Sequence, residues 1–204
     1  LLFVNHTALG WEAWVVSAAG LTALWFVSRN IPLDETLEGV EMSLLLFFTA
    51  LFMLIGGVEE SQFLQYIGQQ ILPLVQSDLL LASIILMWVS AVLSAAIDNI
   101  PFTAAMIPII LGLETQGINV SPLWWSLAIG VGMGGNGTHI GSTANVYIVT
   151  ISERLARDTG NPDMAITPAM WMKKGLPVMF ATLILSSIFF LMFFDWFTAP
   201  VSGI

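Results

Sequence analysis

The chain has 204 residues, of which 57% are hydrophobic and 9% charged, and its mean hydropathy is +0.88. A soluble domain carries about 25% charged residues, so this composition belongs to an integral membrane protein. A net charge of −9 argues against nucleic acid and against a polybasic lipid-binding surface.

The absence of cysteine excludes a disulfide framework and thiol chemistry. The opening "LLFVNHTALG" has neither an initiator Met nor the basic region of a signal peptide, so the chain reads as a fragment of a longer protein.

Apolar runs of about 17–25 residues span a bilayer. The first is Gly10 to Ser28, with Trp11 and Trp14 placed like an aromatic belt and Glu12 at the interface. The polar stretch "RNIPLDETLEGVE" precedes a second span, Met42 to Val58, and residues 1–58 read as scaffold-type helices. In 59–78, Phe63, Leu64, Ile67 and Ile71 recur at helical spacing, which predicts an amphipathic helix on the membrane surface. Glu59 and Glu60 are read as its wet face.

Leu79 to Ile97 is apolar, "DNIP" interrupts, and Phe102 to Leu113 follows. The second limb would be about 18 Å of helix, too short for a core about 30 Å thick. Residues 79–113 are therefore expected to form a re-entrant hairpin with its tip at Asp98–Pro101. Leu123 to Thr150 spans but is broken by "MGGNGTHIGSTANV", which completes a transport-type region over 79–150. Residues 151–175 read as a loop plus an interfacial helix, "TPAMWMKKG", and 176–204 hold the last span.

This layout puts all five basic residues, Arg29, Arg154, Arg157, Lys173 and Lys174, on one face. The positive-inside rule makes that face cytoplasmic. The hairpin then enters from outside, where both ends of the chain also lie.

Hydrocarbon cannot satisfy free backbone groups, so a break at membrane depth lines protein or a water-filled cavity. Pro101 suits the first turn of the second limb. Gly134, Gly135 and Gly137 are expected to stop one helix, and Ser142 or Thr143 to N-cap the next. Each break presents one helix end of each sign near the midplane, as in the discontinuous helices of secondary transporters.

Asp98 is the one carboxylate placed deep in the membrane, at an expense of about 2.5–3.5 kcal/mol. Burial disfavours its charged form and a bound cation favours it, so it can exchange a proton for a metal ion. A simple cap for the second limb is the competing role.

"SAAIDNIPFTAAMIPII" together with "GGNGTHIGSTANV" resembles the C-terminal half of ion-transporter superfamily permeases. The similarity is closest to the arsenite/sodium permeases (ArsB and NhaD types) and the melanocyte P protein type, with citrate-type transporters further off. The resemblance covers about residues 79–194. It implies an all-α inverted-repeat membrane fold, each repeat with a re-entrant hairpin and a broken helix, an N-terminal repeat outside this chain, homodimers, and elevator-like movement.

On the hairpin-tip pattern fall Asp98, Asn99, Pro101 and Thr103. On the broken-helix pattern fall Asn136, Gly137, Thr138, Ser142, Thr143 and Asn145. Asn and Thr oxygens and freed carbonyls suit Na⁺, with Asp98, Asn99, Asn136 and Asn145 as the candidate metal ligands, while N–H groups at the helix starts suit an anion. His139 replaces an aliphatic residue of the P-protein type, and Thr103 a valine.

The expected activity is Na⁺(Li⁺)/H⁺ antiport, with anion permeation of arsenite or a carboxylate such as citrate as the alternative. No cofactor is expected beyond the transported ions. The setting would be a bacterial inner membrane with basic loops in the cytoplasm.

His139 is a candidate proton carrier beside Asp98, since imidazole exchanges protons near neutral pH. Glu114 belongs to an outside loop. Asn5 and Asn119 head sequons on the outer side, and Asn136 heads one at membrane depth. An enzyme is not expected: Ser142 has only the adjacent His139, Asp98 has no partner carboxylate, and HExxH is absent.

Overall fold

The structure, a computed structural model, describes residues 10–28 and 42–199. Asn5, Arg29 and the polar stretch over 29–41 lie outside the described residues, as does the side chain of Glu59. The chain forms two compact units. The first, Leu1–Ala50 with Ser202–Ile204, holds α1 (Ala13–Ser28) and the start of α2 (Met42–Glu60). The predicted span from Gly10 shortens to 16 residues, because Gly10 turns with a φ of 65° and the helix begins at Ala13.

The second unit, Leu51–Val201, is helical in all its described elements. After α2 come α3 (Phe63–Ser77), α4 (Leu79–Ala96), α5 (Asn99–Glu114), α6 (Ser121–Gly134) and α7 (Thr143–Thr159). A single 3-10 turn (Pro162–Met164) leads to α8 (Pro168–Met192) and the short α9 (Phe194–Phe197).

Among the described residues, Leu79–Ala96 and the stretch Pro162–Met192 are long and apolar enough to cross a membrane. One of these is α4, the expected first limb of the hairpin; its 18 residues reach about 27 Å. The second limb is longer than expected, 16 residues instead of twelve, because Asn99–Pro101 and Glu114 join the helix. At about 24 Å, α5 is still shorter than a hydrocarbon core about 30 Å thick, and it is one of the shorter apolar helices of the chain.

The centre of the unit is the pair α4 and α6. They run parallel, with Met87 opposite Gly130, Ala91 opposite Gly134 and Ala95 opposite Thr138. Small residues make this approach possible: a Cβ added at Gly130 would lie 2.3 Å from the Met87 carbonyl oxygen, and one at Gly134 would lie 2.2 Å from that of Ala91. This is the small-residue packing of membrane helices, driven by van der Waals fit instead of water exclusion.

On one side, Ala82, Phe102, Ile110, Leu123 and Leu127 form a core with Val75 of α3. On the other, Met87, Ala91 and Ala95 pack against Met179, Leu183 and Phe190 of α8. Trp88 Nε1 donates to Ser187 Oγ at 3.0 Å across this second seam.

Helix α3 is amphipathic, as its spacing predicts, yet its buried side is turned to protein. Val75 is 3% exposed, Ile67 and Ile71 are half-buried, and α3 packs on α5, while Phe63 is exposed. The α7 helix continues past the expected end at Thr150 to Thr159, where Gly160 takes a φ of 64° and closes it. Arg154 and Arg157 therefore sit on a helix, not in a loop. "TPAMWMKKG" is likewise not a separate helix; its residues from Pro168 are the first two turns of α8, capped by Thr167 Oγ1, which accepts from the Met170 N–H at 3.1 Å.

Candidate functional site

Parallel packing of α4 and α6 brings both interruptions to one place, since each helix ends there. Helix α4 stops at Ala96, Ile97 is extended, and Asp98 is the N-cap of α5. Helix α6 stops at Gly134, and residues 135–142 fold back on themselves before α7 begins at Thr143.

The glycines of this break are needed for close approach; none has a positive φ. A Cβ at Gly141 would lie 2.9 Å from the Gly135 carbonyl oxygen, and one at Gly137 would lie 2.6 Å from Met179 Sδ.

Asp98 joins the two interruptions. Its Oδ1 accepts from the Ile100 N–H at 3.1 Å, and its Oδ2 accepts from Thr143 Oγ1 at 2.6 Å. The competing role foreseen for Asp98, capping the second limb, is thus real, and the bond to Thr143 is additional to it. Asp98 is half-buried and forms no ion pair with a described residue.

Thr143 does not cap α7, because its hydroxyl serves Asp98. Ser142 occupies the N-cap position with no side-chain hydrogen bond, so the start of α7 has no side-chain cap.

Two asparagines pin the break. Asn145 Nδ2 donates to the carbonyls of Gly135 (2.7 Å) and Thr138 (3.1 Å). In the orientation that satisfies its surroundings, the Asn99 amide nitrogen donates to Gly141 O (2.8 Å), Val131 O (3.3 Å) and Ser94 Oγ. Ser94 Oγ donates in turn to Val131 O at 3.2 Å, and Thr138 Oγ1 donates to the Ala95 carbonyl.

Carbonyls expected to be freed by the break are therefore largely engaged, as buried backbone groups must be. What remains open is the oxygen of each of these two amides, which accepts from no described donor.

Replacing Asn145 by Ala leaves Gly135 O and Thr138 O without their shared donor. The purified full-length protein is expected to lose about 1–3 kcal/mol of stability, read as a lower melting temperature.

The other expected site residues divide. Pro101 lies in the first turn of α5, and Thr103 is half-buried on the same helix with no hydrogen bond among the described residues. The Asn136 side chain is exposed, and its carbonyl accepts from Trp171 Nε1 at 3.1 Å. His139 is half-buried, and its Nδ1 is buried without a partner. No group of three or more His, Cys, Asp or Glu side chains gathers among the described residues.

Sequence reasoning missed Ser94, Gly141 and Trp171. Ser94 and Gly141 lie within the recognised motifs without having been singled out there, whereas Trp171 is 35 residues from the carbonyl it holds.

The family model for the citrate transporter matches residues 1–130, well over half of the chain. The chain belongs to the citrate transporter family. This match includes the Asp98 turn of the citrate transporter family member and stops short of the 135–142 break. The human P protein is 38% identical over 157 residues, covering 73% of this chain and 18% of that protein. A 46 kDa membrane protein of Mycobacterium leprae is 30% identical over 190 residues, covering 92% of the chain and 42% of its own length. An uncharacterised transporter of Mycobacterium tuberculosis is 33% identical over 156 residues, 74% of the chain and 36% of that protein.

The chain therefore spans from under a fifth to about two-fifths of these relatives' lengths. No solved structure matches it significantly. Family and relatives are those of an integral membrane permease of the ion-transporter superfamily.

Proposed function

We propose that the full-length protein is a secondary transporter that exchanges Na⁺ or Li⁺ for protons, with the cation held between the Asp98 turn and the 135–142 break. The observation that carries this reading is the Asp98–Thr143 bond: a carboxylate with no ion-pair partner among the described residues ties the two interruptions together. A cation arriving there meets the Asp98 carboxylate and the open amide oxygens of Asn99 and Asn145; Asn136, with its exposed side chain, contributes less to the site. Hard oxygen donors of this kind suit Na⁺.

Asp98 releases its proton as the ion enters, and the buried Nδ1 of His139 offers a second proton position. On this reading residues 79–113 act as a re-entrant hairpin, an N-terminal repeat supplies the opposite wall, and the protein works as a homodimer in a bacterial inner membrane. The basic residues of α7 and α8 then face the cytoplasm.

Two observations favour a second reading, permeation of an anion such as citrate or arsenite. The family is described as a citrate transporter, and the start of α7 presents N–H groups with no side-chain cap, the arrangement that receives anions.

Inside-out vesicles carrying the full-length protein, energised to an acidic interior, separate the two. Collapse of the pH gradient on adding Na⁺ or Li⁺ is the expected result. No response to any cation, with citrate or arsenite uptake by the same protein, establishes the second reading instead.

A further inference from the structure

Helix α8 touches the break at three positions one turn apart, Trp171, Gly175 and Met179, which lie on one face of the helix. Trp171 Nε1 donates to the Asn136 carbonyl at 3.1 Å. The N–H of the same peptide, on Gly137, donates to Gly134 O at 2.9 Å, so the 136–137 peptide plane is fixed at both ends. Gly175 allows this approach: a Cβ there would lie 2.2 Å from Asn136 O and 3.2 Å from Gly137 O. Met179 closes the row against Gly137.

We propose that the start of α8 is a clamp on the break, and that Trp171 is a positioning residue for binding of the transported ion. This rests on the reading of the break as part of the transport site. The next residue after the clamped peptide is Thr138, whose hydroxyl reaches the end of α4 and whose carbonyl is held by Asn145. Releasing Asn136 from Trp171 lets the 136–138 segment rotate, and the Asn145 amide that shares Gly135 O and Thr138 O loses its fixed orientation. The effect falls on affinity, because what is lost is order in the binding geometry and not a group that reacts.

The test uses the full-length protein in the same vesicles, with Trp171→Phe, Gly175→Ala and Leu185→Ala compared. Leu185 is exposed on α8 six residues beyond Met179, away from the break, so it serves as the control. In Trp171→Phe the ion concentration giving half-maximal rate is expected to rise about threefold to tenfold, the effect of one lost hydrogen bond, with the maximal rate within about twofold of wild type. Gly175→Ala is expected to raise it further, and Leu185→Ala to leave it unchanged.

A purely structural role for Trp171 would lower the amount of folded protein and the maximal rate while leaving half-saturation in place; that result overturns the clamp. Should Gly175→Ala fail to fold, Trp171→Phe still decides. An Asp98→Asn protein that keeps full transport removes the site reading itself, whereas loss in Asp98→Asn with wild-type half-saturation in Trp171→Phe removes the clamp alone. If citrate or arsenite is the species carried, the same constant is measured for it.

Discussion

Asp98→Asn in the full-length protein is expected to reduce Na⁺- or Li⁺-driven proton movement by at least about 100-fold while leaving the fold intact. The substitution separates the two roles that the structure gives this residue. Asn is as good an N-cap as Asp, so the bond from Ile100 N–H survives. The amide can also still meet Thr143, with the hydroxyl turned to accept.

What disappears is the charge and the exchangeable proton. A carboxylate is neutral when protonated and anionic when a cation replaces the proton; an amide has neither state. Asp98→Ala provides the contrast, since it removes cap and charge together and is expected to lower stability by about 1 kcal/mol as well. Dye fluorescence in the vesicles and thermal melting of the purified protein give the two readouts. Full transport by Asp98→Asn at normal melting temperature would leave Asp98 as a cap only, and cation/proton exchange through it would have to be abandoned.

The interruptions themselves were readable in the sequence, because both are made by residues with strong local meaning. Asp98 precedes a helix start with Pro101 in its first turn, and the run from Gly134 to Ser142 is too rich in glycine and small polar residues to continue a helix. The extent of the helices was less legible. In α7, "ISERLARDT" is too polar to look like a span, yet Glu, Arg, Leu and Ala are good helix formers and carry it to Gly160. In α8, Gly175 and Pro177 look like stops, but Gly175 is there for contact with Asn136 and Pro177 is accommodated inside the helix.

The missed partners share one physical reason. Ser94, through its bond to Val131 O, and Trp171 act on the site through register between helices distant in sequence, and a single sequence carries no information on that register. The glycine cluster announced a break; it did not announce that Asn99 and Asn145 would bind its carbonyls.

Glycines of α6 carry the second large expected effect, and their spacing supplies its control. Gly130, Gly132 and Gly134 look alike in the sequence, but the first and last face α4, whereas a Cβ at Gly132 meets nothing within 4 Å. Gly132→Ala is therefore expected to be neutral or to stabilise by up to about 1 kcal/mol, since Ala is the better helix former. Gly134→Ala sets a Cβ 2.2 Å from Ala91 O and 2.6 Å from Ala91 Cα, atoms of backbone that cannot swing aside.

Relief requires α4 and α6 to move apart by an ångström or so, and overpacking of that kind costs about 1–3 kcal/mol or more. The displacement is not confined to the seam. Val131 O, Ala95 O and Asp98 all belong to this pair of helices or to the turn that leaves it, so separating the pair pulls Ser94 from Val131 O and Thr138 from Ala95 O.

Gly130→Ala, whose Cβ would meet Met87 O at 2.3 Å, lies a full turn from the break. Both variants should lower the melting temperature of the full-length protein; Gly134→Ala should in addition weaken ion affinity, measured as a rise in half-saturating concentration beyond that of Gly130→Ala. Equal effects from all three alanines on melting and on affinity would mean that α4 and α6 are not packed through these glycines, and the parallel register that unites the two interruptions would be wrong.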